Sequence, residues 1–219
     1  MFIGHFGAAF AAKKAAPSVS LATLIFSAQW LDLLWPSLLL LKIEKVVIEP
    51  GNTRVTPLDF THYPWSHSLV LVFAWALLAG LVHYFFMRKQ RAAFIIALLV
   101  ISHWVLDVLM HKPDLPLYPG NSPLLGLGLW NSLSITLILE TLLFFTGLFF
   151  YLQVTRPKNK RGVYSLWTLV VLLYGIYLVN LFGPPPPDVL SIAYAGHLQW
   201  LFVALGYWVD RNRKVFIRN

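Results

Sequence analysis

The sequence predicts an all-α protein: a polytopic transmembrane helical bundle with six long spans and a short N-terminal membrane segment. Three observations carry this. Hydrophobic residues make up 58% of the chain and charged residues only 12%, far from the balance of a soluble domain. The mean hydropathy is +0.67, and the apolar runs reach the roughly 20 residues a helix needs to cross hydrocarbon. The Lys, Arg and Pro residues gather in the gaps between those runs. Residues 1–219 read as a single bundle domain.

Taken in order, Met1–Ala12 is a short apolar segment carrying His5. No basic residues precede it, so it is a poor signal peptide. Lys13, Lys14 and Pro17 end it. Val19–Leu41 is the first full-length span and holds Asp32. Lys42–Trp65 is a polar loop with Pro50, Pro57 and Pro64. Ser66–Met87 is the second long span, with His67 at its start, and Arg88–Arg91 is a tight basic turn. Ala92–Met110 crosses back, and Lys112–Pro123 is a Pro-rich loop. The next run is helical from about Trp130 to Gln153 and contains Glu140. Basic residues separate it from Val163–Phe182. The Gly183–Pro187 tract breaks that helix, and Val189–Val209 is the last span, ending in a basic tail.

The net charge of +8 could suggest nucleic acid, but the positions of the charges argue for topology instead. One set of turns holds thirteen of the Lys and Arg residues, from Lys13 to Arg218; the other holds Lys42, Lys45, Arg54 and Lys112. By the positive-inside rule the C-terminus is cytoplasmic and the loops after the first, third and fifth long spans face outward. The expected partners are membrane lipids, with no nucleic acid.

Several polar residues then converge on the outer side. His103, Asp107 and His111 are spaced four apart, which puts them on one helix face. They approach the surface reached by His62 and His67, while Asp32 lies near the outer end of its own span. Two ligands at i and i+4 can chelate one ion. The three together cover about 12 Å of helix axis, so one ion would leave one of them in a supporting role, or two ions would be needed. With no cysteine in the chain, any metal is held by His and carboxylate. That donor set suits a divalent ion, zinc first and manganese or iron next. No Lys or Arg lies inside the spans to neutralise Asp32, Asp107 or Glu140, and an unpaired intramembrane Asp costs about 2.5–3.5 kcal/mol on insertion scales. Lone His83 and His197 read as helix contacts. Glu140 has two readings: a carboxyl hydrogen-bonded to a neighbouring helix, or a ligand, general base or supporting carboxylate. Asn131 either binds substrate or caps a polar entrance. Trp30, Trp35, Trp65, Trp130 and Trp200 read mostly as interface anchors.

These residues resemble a known pattern. His62-Tyr63-Pro64-Trp65-Ser66-His67-Ser68-Leu69 is similar to the HRGxTHSL element of the bacterial membrane-bound, metal-dependent hydrolases, also described as LexA-binding inner-membrane hydrolases. Ser102-His103-Trp104-Val105-Leu106-Asp107 resembles that family's sHxxxD helix, Gly4–Ala9 its N-terminal His segment, and Trp30–Pro36 its PDxDxP element. Ordered motifs cover roughly the first 120 residues, with a looser likeness over Gly126–Glu140. Two departures stand out: the paired aspartates are reduced to Asp32, and Tyr63 replaces the Arg after the first His. The resemblance implies a bacterial inner (plasma) membrane protein with metal ligands at His5, His62, His67, His103 and Asp107.

Three functions follow as expectations. The first is a membrane-embedded hydrolase that cleaves a lipid or lipid-linked ester or phosphoester at the outer leaflet through a metal-activated water. In it Asp32 or Glu140 serves as the proton acceptor, and His111 and Asn131 support the site or the substrate. The second is a metal- or proton-coupled transporter, although the motifs do not recur in two halves. The third is a non-catalytic membrane protein with a structural metal. The ceramidase and adiponectin-receptor-like class needs an HxxxH pair in its last helix, where this chain has only His197.

Overall fold

The computed structural model describes residues 1–216, so Arg218 lies outside the described residues. Helix α1 (Ile3–Ala15) comes first, then α2 (Leu21–Ala28) and α3 (Trp30–Leu40). A hairpin of β1 (Lys45–Ile48) and β2 (Leu58–His62) precedes the short α4 (Pro64–His67), then α5 (Leu69–Met87) and α6 (Gln90–Met110). Strands β3 (Leu115–Pro116) and β4 (Leu124–Leu125) and a 3-10 turn (Leu129–Asn131) lead to α7 (Leu133–Val154). Strand β5 (Thr155–Pro157), α8 (Lys160–Phe182), α9 (Val189–His197), α10 (Trp200–Asn212) and β6 (Arg213–Val215) complete the chain. Five helical segments, with α9 and α10 taken as one, are long and apolar enough to cross a membrane, and the bent pair α2 and α3 makes a sixth. The all-α polytopic bundle therefore stands. The loop predicted as Lys42–Trp65 contains an antiparallel hairpin instead of irregular chain.

The first long span is broken in a way the hydropathy did not foretell. α2 and α3 meet at 56°, and the bend falls at Gln29, whose backbone leaves helical geometry at φ −104° and ψ 6°. Pro36 lies inside α3, where it has no N–H to offer the carbonyl one turn back. Elsewhere side chains start the helices. Ser20 accepts from Thr23 N at 2.9 Å, and Asp188 accepts from Ser191 N at 2.6 Å, each satisfying an amide the helix leaves unpaired.

α1 is enclosed by the other helices. Ile3, Phe6, Ala9 and Phe10 are fully buried, in a core that also takes in Leu24 and Ile25 of α2 and Phe144 and Tyr151 of α7. The outer faces of α5, α7 and α8 instead expose Phe73, Leu77, Phe86, Ile138, Phe149 and Val171, as lipid-facing helices do. α1 and α7 cross at two glycines. A Cβ on Gly147 would run into the Gly7 carbonyl, and one on Gly7 into the Leu143 backbone. Small residues allow this close approach where no hydrophobic force drives helices together in lipid.

Many of the basic residues gather at the end of α1 away from His5. Lys14 Nζ reaches Gln153 Oε1 at 2.9 Å, and Lys158 Nζ reaches the Arg211 carbonyl at 2.9 Å. Lys13, expected as a surface anchor, is buried: its ammonium donates to the Val19 carbonyl at 2.5 Å and lies 3.7 Å from Asp210 Oδ1. Asp210 Oδ2 also accepts from Ala22 N at 3.1 Å, tying α10 to the start of α2.

Candidate metal centre

Four helices bring imidazoles and carboxylates to one place. α1 supplies His5, α3 supplies Asp32, α4 supplies His67, α6 supplies His103 and Asp107, and the residue capping α6 is His111. Ligand atoms of His5, His103 and Asp107 lie within 4.8 Å of one another, as do those of Asp32, His67 and His103. His103 belongs to both groups, so the sets form one cluster. The imidazoles of His5 and His103 stack in parallel, 3.7 Å between centroids.

The hydrogen bonds place a proton on Nδ1 of two of the imidazoles. His103 Nδ1 sits 2.7 Å from the Ala28 carbonyl. A carbonyl only accepts, so Nδ1 carries the proton and the neutral ring has its lone pair on Nε2. That carbonyl belongs to the last residue of α2, at the bend. His67 is set by a longer chain. Ser66 donates its hydroxyl proton to Glu44 Oε2 at 2.7 Å, and its amide donates to Glu44 Oε1 at 2.8 Å. Its oxygen therefore accepts from His67 Nδ1, 2.6 Å away, leaving the His67 lone pair on Nε2 too. Trp104 of α6 holds the His67 carbonyl at 2.8 Å.

Both Nε2 atoms face carboxylates. His103 Nε2 is 3.2 Å from Asp107 Oδ2 and 3.6 Å from Asp32 Oδ1; His67 Nε2 is 3.8 Å and 3.6 Å from the same two atoms. Despite that proximity, His103 Nε2 is buried without a hydrogen-bond partner among the described residues. Neutral imidazole lone pairs facing two carboxylates in a low-dielectric interior repel unless a proton or cation stands between them. The donor set, two or three imidazoles and two carboxylates, fits zinc, manganese or iron. Asp32 is the open member, with 22% of its side chain exposed where Asp107 has 2%.

The sequence-predicted residues divide clearly. His5, an expected ligand, lies with Nε2 3.1 Å from Asp107 Oδ1. His111 Nε2 is 4.0 Å from the same oxygen. His62 is a correction: it is exposed at the end of β2, opposite Lys45. The chain turns inward only at Tyr63, so the structure does not bring His62 to the cluster beside His67. Asn131 is likewise exposed in the 3-10 turn. Glu140 has a partner other than the water expected of a general base. Its Oε2 accepts from Phe2 N at 2.9 Å and Gly4 N at 3.3 Å, a carboxylate on the positive end of α1 that anchors the turn bearing His5. His197 is a helix contact, as read, bonded to Ser37 and Ala193. Trp130, read as an interface anchor, instead covers His111 with ring centroids 4.2 Å apart.

Sequence reasoning missed Glu44, Ser66, Tyr63 and Asp114 as supports. Tyr63 donates to Asp114 Oδ1 at 2.7 Å, and His111 Nδ1 lies 2.9 Å from that oxygen. Burial, then the adjacent Asp114 carboxylate, push the Tyr63 phenol well above its ordinary range, so it stays a donor. Asp114 follows His111 by three residues across Pro113, a local signal that was available. Glu44 gave none, being a loop carboxylate brought in only by the hairpin.

The fold and this cluster define a polytopic integral membrane protein with imidazoles and carboxylates gathered between its helices. A family model, YdjM inner membrane protein, matches residues 2–183, and the chain belongs to that family. The matched region runs from α1 through α8 and contains every residue of the cluster. No curated protein and no solved structure matches the chain.

Proposed function

We propose that this protein is a membrane-embedded, metal-dependent hydrolase acting on a lipid or lipid-linked ester or phosphoester, with its site toward the outer leaflet. The observation that carries the reading is the pair of Nε2 atoms, on His67 and His103, facing Asp32 and Asp107. Such a constellation is held together by a cation. Bound there, a zinc-like ion would supply an acidified water at neutral pH and a positive charge for the developing oxyanion.

The chain's own residues divide the remaining work. Asp107, fully buried, fixes the imidazoles around it. Asp32, partly exposed, lies on the side from which water and substrate enter and takes the proton from the attacking water. Glu140 keeps His5 in place through the first turn of α1. The excess of Lys and Arg at the other end of the bundle supports placing that end in the cytoplasm, which puts the cluster in the outer half, where lipid headgroups begin. The membrane then contributes the binding of the apolar tails.

The test pairs metal analysis with turnover. Purified protein is assayed for bound metal, and for hydrolysis of phospholipid and lipid-phosphate substrates in detergent micelles, beside His103→Ala. Loss of both metal and hydrolysis in a variant that still inserts supports the reading. Full metal occupancy in His103→Ala removes that residue from the ligands. Metal-dependent flux in proteoliposomes without hydrolysis assigns the site to a transporter instead.

A further inference from the structure

At the basic end of the bundle two hollows meet. The first is a cavity of about 280 Å³ between the α1–α2 connection (Ala15–Ser18) and the start of α6 (Lys89–Ala92). At roughly 30 Å³ per water, it has room for a phosphate and its ester arms. The second is a groove of about 390 Å³ between α5 and α6. Gly80, Ala93 and Ala97 make its floor, and the exposed Leu77, Leu81 and Phe94 make its walls. The floor is low because the helices touch there. A Cβ on Gly80 would meet the Ala93 carbonyl at 3.2 Å and the Ala97 Cβ at 3.3 Å. Gln90 borders both hollows. From Gln90 to Ala97 the groove follows α6 for about 10 Å, on an apolar face turned to lipid.

Three cations stand at this junction. Lys89 and Arg91 line the cavity. Arg88 caps α5 in left-handed backbone, at φ 55°, where glycine is the usual residue. Its guanidinium lies 5.9 Å from the ring centroids of Tyr84 and Phe85, and Tyr84 itself lines the groove. None of the three has a carboxylate partner among the described residues, whereas Lys13 has Asp210 and Lys112 has Asp59. No Asp or Glu occurs between Asp59 and Asp107. We infer that the two hollows form one site for an anionic phospholipid, with its phosphate in the cavity beside Lys89 and Arg91 and an acyl chain in the α5–α6 groove. Basic pockets between membrane helices suit such headgroups. A zwitterionic headgroup would carry its own ammonium into three unpaired cations. A soluble anion would leave the groove unfilled. The bound lipid joins the α1–α2 connection to the α5–α6 turn. His103 lies about 20 Å further along α6 than Gln90, so this lipid is not the proposed substrate and the site does not depend on the metal reading.

The test uses the full chain in detergent, titrated with phosphatidylglycerol or phosphatidylcholine and read by native mass spectrometry. The wild type is expected to retain one phosphatidylglycerol in preference to phosphatidylcholine. The double substitution Lys89→Gln with Arg91→Gln should weaken that binding about 30-fold, from roughly a fivefold loss per interfacial cation. Both side chains are exposed, and an unchanged melting temperature confirms that the variant is folded. Equal retention of the two lipids by the wild type, or unchanged phosphatidylglycerol binding in the folded variant, overturns the site. Displacement of the lipid by an equal concentration of inorganic phosphate overturns the lipid assignment in favour of a soluble anion. Phosphatidylglycerol with a photoreactive acyl chain should label peptides spanning Leu77–Tyr84 or Gln90–Ala97, and labelling confined to other helices overturns the groove. If the double variant does not fold, the wild-type preference and the labelled peptides decide.

Discussion

Ser66→Ala is the substitution with the most to say about this centre, because it removes one oxygen atom and no bulk. That oxygen bridges His67 Nδ1 at 2.6 Å and Glu44 Oε2 at 2.7 Å, and Ser66 is fully buried, so water has no access to replace it. The change leaves the Nδ1–H of His67 and one carboxylate oxygen of Glu44 without partners. Each unsatisfied buried group costs about 1–3 kcal/mol, so a combined loss of about 2–4 kcal/mol of stability is expected, since Glu44 keeps its bond from the Ser66 amide. The released imidazole can also rotate, and losing such an outer support typically weakens metal binding by about 10–100-fold. Thermal unfolding in detergent without added metal measures the first effect. Competition with a chelator of known affinity measures the second. Unchanged metal affinity alongside the expected loss of stability would show that the Glu44–Ser66 chain serves only the fold of the α4 turn, and the assignment of the His67 lone pair would fall with it.

Other substitutions probe separate parts of the argument. Gly147→Ala forces α7 away from α1 and should cost about 1–3 kcal/mol by overpacking, seen as a lowered unfolding temperature. Glu140→Ala removes the acceptor for Phe2 N and Gly4 N and should cost about 1–2 kcal/mol; Glu140→Gln, which keeps a carbonyl acceptor, should recover part of this in the same melt. His62→Ala should change neither metal content nor stability by more than about 0.5 kcal/mol, and a loss of bound metal would return His62 to the ligand set. Tyr63→Phe leaves Asp114 with one donor fewer and should lower stability by about 1–2 kcal/mol; equal melts for the two proteins would count against the Tyr63–Asp114–His111 chain.

The spans were legible because the bilayer imposes one requirement, a long apolar helix, that sequence records directly. The four-residue spacing of His103 and Asp107 was legible for the same reason, since both sit on a helix whose period is known. What stayed hidden depends on backbone departures from regularity. The bend at Gln29, which gives the Ala28 carbonyl to His103, lies in a mostly apolar run without glycine or proline at the break. The outward turn of His62 depends on the hairpin register, and the inward placement of Glu44 on how that hairpin packs over α4. Glu140 was read as deep and polar, which it is. Its partner could not be named until α1 was seen to begin against it.

The enclosure of α1 bears on how this protein is assembled. Thirteen residues make a helix of about 20 Å, short of the roughly 30 Å of hydrocarbon, and its flanks are matched to protein instead of lipid. Its principal neighbour, α7, begins 118 residues after α1 ends. During synthesis α1 can pack on α2 and α6 first, but its close crossing at Gly7 and Gly147 forms only once α7 has entered the membrane, so the enclosure of His5 is completed late. A chain truncated before Leu133 should insert α5 and α6 yet leave position 5 open to labelling, whereas the full chain protects it. The cluster is therefore closed only when α7 covers the helix that carries His5.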